Sequence, residues 1–89
     1  MLQKTTTIVN KLGLHARAAA KFVTQASLFD SEIHVKRNNQ KVNGKSIMGV
    51  MMLAAAKESE IELIIDGPDE KEALQSLLEL IANRFGEEE

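Results

Sequence analysis

The run Asn10-Lys11-Leu12-Gly13-Leu14-His15-Ala16-Arg17-Ala18-Ala19-Ala20 contains the change of period from which the rest of the fold is read. Before it, Leu2 to Val9 is rich in threonine and β-branched residues, which favours a strand, although this stretch alone leaves its inward face open. After it, Ala19, Phe22, Val23 and Ala26 recur at the spacing of one helical face, so a helix runs from Ala16 to about Ser27, with Lys21 and Gln25 off that face. Alanines at 16, 18, 19 and 20 keep the start of that helix slim, so a partner can approach His15 closely. Gly13 lets the chain turn where a side chain would interfere.

The junction is also a chemical site. Backbone N–H groups of a helix's first turn lack intrahelical partners, and with the helix dipole they attract an anion. His15 stands at that end, and Arg17 follows two residues on with a guanidinium fork suited to phosphate. This reads as a histidine prepared to carry a negatively charged group, with the backbone of Ala16 and Arg17 as the cradle. The plainer reading of His15 is a helix N-cap or a surface histidine.

Beyond the first helix, Glu32-Ile33-His34-Val35-Lys36 alternates, placing Ile33 and Val35 toward a core and His34 toward water. Arg37 to Gln40 turns the chain into a short strand, Gln40 to Asn43, making a hairpin. Ser46 is the natural N-cap of a short helix reaching about Leu53. That helix is more apolar than one buried face needs. We expect Val50 and Leu53 inward, with Ile47, Met48 and Met51 at least partly exposed as an adaptable docking patch. Glu60 to Asp66 is the strongest strand, with Ile61, Leu63 and Ile65 inward. After the turn Asp66-Gly67-Pro68-Asp69, Asp69 and Glu72 form a capping-box pattern opening a last helix. Its buried face is Leu74, Leu77, Leu78, Ile81 and Phe85, and Gly86 is placed to end it. One sheet with helices on a single face is the natural packing for this β-α-β-β-α-β-α order, an α+β open-faced sandwich.

Two segments resemble a known family. Gly13-Leu14-His15-Ala16-Arg17 with Ala19-Ala20 is similar to the active-site segment of the HPr family, the histidine phosphocarriers of the bacterial phosphotransferase system. Lys45-Ser46-Ile47-Met48-Gly49-Val50-Met51 resembles that family's regulatory-serine segment, and the resemblance covers essentially the whole chain. It implies a four-stranded antiparallel sheet. It also implies a carrier, rather than a free-standing enzyme, that takes a phosphoryl group from enzyme I on Nδ1 of His15. The group then passes to IIA components, with Arg17 stabilising the phosphate and Ser46 open to a serine kinase/phosphorylase. The chain departs from the family pattern at Ala18, usually proline, and at Leu12, usually small and polar. Alanine is the best helix former, so the helix is expected to survive the first change. The second leaves no side-chain hydrogen bond to the phosphate from that position.

Composition bounds the alternatives. Eighty-nine residues make one small domain, residues 1–89, and the 44% hydrophobic content argues against disorder. With no cysteine and two histidines there is a poor case for a metal, and no cofactor is implied. Aromatics are only 3%, which disfavours the stacking platforms of nucleic-acid binders. No apolar run is long enough to span a membrane and no secretory signal opens the chain, so a cytoplasmic monomer is expected.

The net charge of -2 conceals a split: residues 1–45 carry eight Lys/Arg against two Asp/Glu, and residues 46–89 three against eleven. Lys11, Arg17, Lys21 and Lys45 flank the two motifs and suit an acidic partner, with Arg17, Ala20, Lys21, Lys45, Ile47, Met48 and Met51 forming the docking surface. The tail Glu87-Glu88-Glu89 reads as solvated decoration. Two other functions fit the same pattern: a nitrogen-branch phosphocarrier, to which Asn10-Lys11-Leu12-Gly13 and Phe29-Asp30 lend some likeness, and a non-catalytic α+β binding module.

Overall fold

The structure, a computed structural model describing residues Met1–Glu89, contains four strands and three helices. In chain order these are β1 (Leu2–Thr7), α1 (Ala16–Ala26), β2 (Glu32–Arg37), β3 (Gln40–Asn43), α2 (Ile47–Met52), β4 (Glu60–Asp66) and α3 (Glu70–Ala82), followed by a short turn over Arg84–Gly86. The sheet is antiparallel throughout, in the order β1-β4-β2-β3. β4, with the most continuous apolar pattern, therefore lies between β1 and β2, where both its edges find hydrogen-bond partners.

Register settles the face of β1. Leu2, Lys4 and Thr6 stand opposite Ile65, Leu63 and Ile61, the inward residues of β4, so they share the helix-covered face. Gln3, Thr5 and Thr7 share the open face with Ile64, Glu62 and Glu60. His34 is on that open face too, opposite Asn43 and Ile64.

One core of 19 buried residues fills the space between sheet and helices. α1 contributes Ala18, Ala19, Phe22, Val23 and Ala26. The expected stripe is thus present, widened by Ala18, and α1 starts at Ala16 without the proline. Burying each large apolar chain, Phe22 or Leu77 for example, favours folding by about 1.5–3 kcal/mol.

The last helix departs from its sequence reading at both ends. Asp69 makes no side-chain cap bond to α3. Its carboxylate instead accepts from the Asp30 N–H (2.9 Å), the Ser31 N–H (3.0 Å) and the Ser31 hydroxyl (2.5 Å), tying the α1–β2 connection to the start of α3. Three donors from a neighbouring segment outcompete the local cap. Glu70 accepts the Gly67 N–H at 3.1 Å. At the other end α3 stops at Ala82, before Gly86. Arg84, Phe85 and Gly86 then take positive φ of 56°, 54° and 79°, and this turn swings Phe85 back into the core, where it is 1% exposed. Phe85 is buried as expected, but from the turn and not from the helix.

Candidate functional site

His15 is the N-cap of α1, with extended backbone (φ −74°, ψ 178°), and its imidazole Nδ1 accepts the Arg17 N–H at 3.3 Å. The capping and chemical readings of this histidine thus coincide: the ring occupies the anion-binding end of the helix because it caps it. Gly13 sets the approach. Its φ is +68°, and a Cβ there would come within 2.4 Å of the Ala55 carbonyl oxygen, so no larger residue fits without moving backbone. The Leu14 N–H donates to that same oxygen at 2.9 Å, docking the loop before His15 onto the chain that follows α2.

The other ring nitrogen meets a residue from the far end of the chain. Nε2 of His15 lies 2.5 Å from Oε2 of Glu87, and Oε1 of Glu87 accepts Nδ2 of Asn10 at 3.0 Å. The same Asn10 amide donates to the Gly13 carbonyl at 2.8 Å. Asn10 is fully buried, and its Oδ1 has no partner. Because Nδ1 accepts from backbone, the proton of the neutral ring resides on Nε2 and is donated to Glu87. Burial would push the Glu87 carboxyl up. The hydrogen bonds from Asn10 and His15, the charge His15 carries when protonated and that of Lys21 outweigh it and hold the carboxyl below the ordinary glutamate value.

Glu87 corrects the reading of the tail as solvated decoration: its side chain is only 16% exposed. The tail is tied down along its length. Lys21 Nζ donates to the Phe85 carbonyl at 2.7 Å, Arg84 to that of Glu88 at 2.7 Å, and the Lys11 N–H to that of Glu89 at 2.6 Å. The Lys11 ammonium and Glu89 carboxylate also pair, 3.3 Å apart and exposed. Together Lys11, Leu12, His15, Ala16, Arg17 and Glu87 to Glu89 line an open cleft of about 720 Å³.

Arg17 is exposed on the rim of this cleft, its guanidinium without an intramolecular partner. Leu12, 67% exposed, presents an apolar side chain to the cleft. Ser46 caps α2 as expected, its Oγ accepting the Gly49 N–H at 3.1 Å. Val50 of α2 and Leu53 just after it are buried, and Ile47, Met48 and Met51 are exposed by 44%, 73% and 39%. Met52 joins them at 63%. Ala20 is half-buried on α1. The Lys21 and Lys45 ammonium groups are engaged within the molecule, Lys45 with the Phe29 carbonyl at 2.6 Å. No cluster of three or more His, Asp or Glu is placed to hold a metal. No helix is long and apolar enough to cross a membrane.

Comparison with known proteins gives the site its setting. The family model described as PTS HPr component phosphorylation site matches residues 2–83. The chain belongs to the HPr family. The phosphocarrier protein HPr of Cupriavidus necator is 61% identical over 89 residues, with both chains fully covered. That of Neisseria meningitidis is 58% identical, again over the full length of both. Among solved structures, HPr of Thermoanaerobacter tengcongensis superposes with a TM-score of 0.96 at 49% identity, covering all of both chains. HPr of Bacillus anthracis does so at 0.87 and 40%, covering 90% of this chain and 95% of that one. Membership in the HPr family carries a general phosphocarrier role in the phosphotransferase system and the open-faced sandwich observed above.

Proposed function

We propose that this HPr-family chain, as a cytoplasmic single-domain monomer, accepts a phosphoryl group on Nδ1 of His15 from phosphorylated enzyme I and passes it to IIA components. The observation that carries this reading is Nδ1 facing the first turn of α1 as an acceptor. Its lone pair attacks phosphorus in line, and the bond from phosphorus to the donor atom of enzyme I breaks with its electron pair staying on the donor. Once Nδ1 is bonded to phosphorus it no longer accepts, so the Arg17 N–H is released to a phosphate oxygen. The dipole of α1 and the unpartnered Arg17 guanidinium favour the new charge. Transfer of this kind needs positioning and charge stabilisation more than covalent machinery.

Donor and acceptor must each cover His15, so both dock on the same surface: Arg17 and Ala20 of α1 with the apolar Ile47, Met48 and Met51 of α2, rimmed by Lys21 and Lys45. Ser46, at the edge of that surface, is the regulatory position for a serine kinase/phosphorylase. Incubation with enzyme I and phosphoenolpyruvate tests the core of the proposal. One acid-labile, alkali-stable phosphate should appear, be lost in His15→Ala and persist in His34→Ala. Labelling that survives in His15→Ala overturns it.

A further inference from the structure

A carboxylate 72 residues from His15 in sequence sits on the ring nitrogen that the transfer does not use. Building on the phosphocarrier reading, we infer that Glu87, oriented by the buried amide of Asn10, is a positioning residue that fixes the His15 tautomer and holds the Nε2 proton through both halves of the transfer.

An imidazole ring with its proton free to choose a nitrogen has its lone pair on the wrong one for part of the time. Here two contacts make the choice. The Arg17 N–H favours a lone pair on Nδ1, but at 3.3 Å this is a long, weak bond. The contact of Nε2 with Glu87 is short and charge-assisted, so it dominates. Glu87 cannot drift, because its second oxygen is bound by Asn10, which is anchored on Gly13. Its depressed titration keeps it an acceptor at neutral pH.

The chemistry uses the same contact twice. As Nδ1 forms its bond to phosphorus, the ring gains positive charge, which the carboxylate beside Nε2–H offsets; the donor keeps the electron pair of the broken bond. In the outgoing step the proton retained on Nε2 makes the ring a good leaving group. The P–Nδ1 electron pair returns to the ring, which again becomes a neutral imidazole protonated on Nε2. This is the task of the carboxylate in a Ser-His-Asp triad, where it orients the ring without taking the proton. Here the histidine itself is the nucleophile.

Nitrogen-15 NMR of the His15 ring at alkaline pH, with no phosphoryl donor present, reads the tautomer directly. The unmodified chain should show Nε2–H. In Glu87→Gln the amide can donate to Nε2, so the Nδ1–H form should become well populated. Phosphorylation by phosphorylated enzyme I should slow by about tenfold or more, the scale on which misplaced reacting groups lose rate, at an unchanged melting temperature. A lower melting temperature with tautomer and rate intact would make Glu87 merely structural and overturn the inference. So would an unmodified chain that carries its proton on Nδ1. Absence of any phosphate on the unmodified chain would instead overturn the phosphocarrier reading, and the tautomer measurement would still decide the role of Glu87 toward the ring.

Discussion

His15, Gly13 and Arg17 show three ways a residue can serve one site. His15 gains its position from capping α1, Gly13 from a conformation and a clearance that exclude side chains, and Arg17 from having nothing else to bind. The last point is testable. A guanidinium with no intramolecular partner contributes little to folding, and exposed substitutions of this kind usually shift stability by less than about 0.5 kcal/mol. Its bond to a phosphate oxygen would be charge-assisted, worth about 1.5–3 kcal/mol, or about ten- to hundredfold in rate. Arg17→Ala should therefore slow transfer by that factor in rapid-quench assays with an almost unchanged melting curve. A large melting shift with normal transfer would make Arg17 structural. The His15 cap and the placement of Arg17 beside it were legible in the motif, because they depend on residues two apart, whereas the clearance at Gly13 is set by the Ala55 carbonyl from beyond α2.

α2 is an element with one face buried and an apolar face left exposed. Val50 anchors it, with Leu53 just after it, while Ile47, Met48, Met51 and Met52 remain in solvent. Six residues make a marginal helix, so its stability rests on that anchorage and on the Ser46 cap. Met48→Glu should leave the melting temperature within a few degrees and weaken both enzyme I and the IIA protein by about 1–2 kcal/mol, measured by titration calorimetry. Ser46→Asp places negative charge at the positive end of α2, so stability should hold or rise. The same charge borders the apolar patch and should weaken enzyme I binding. Ser46→Ala should dock normally and lose about 1 kcal/mol of stability. Equal affinities for Ser46→Asp and the unmodified chain would leave Ser46 as a cap and nothing more. The split faces were readable beforehand because a short helix with apolar residues all round cannot bury them all beneath itself.

Across the whole molecule, stability and the site depend on contacts between distant segments. Asp69 joins the α1–β2 connection to α3, and its carboxyl is held below the ordinary aspartate value by the Ser31 hydroxyl and then by the backbone N–H of Asp30. A carboxyl depressed in the folded state stabilises it above the unfolded pKa, and that contribution is lost as pH falls through the folded one. Asp69→Asn should accordingly melt lower than the unmodified chain at neutral pH, and the gap should close below the ordinary aspartate range. Calorimetry across an acid pH series checks this; a gap independent of pH would mean the charge is irrelevant. By itself the sequence determined the element order, the inward stripe of α1 and β4, the cap at Ser46 and the place of His15 at the start of α1. These are set by periodicity and by bonds spanning a few residues, which any local reading can follow. The inward face of β1 had to wait for its register against β4, since Leu2, Lys4 and Thr6 look no more buried than their neighbours. Asp69 looked like a local cap because three donors from the α1–β2 connection come within reach only after the sheet has assembled. Only the tertiary structure could reveal Glu87. In sequence it is the first of three tail glutamates, and it reaches His15 because the positive-φ turn at Arg84–Gly86 reverses the chain while Lys11, Lys21 and Asn10 tie it down. A bond between ends separated by 72 residues leaves no periodic trace, because its geometry exists only once the core between them has closed.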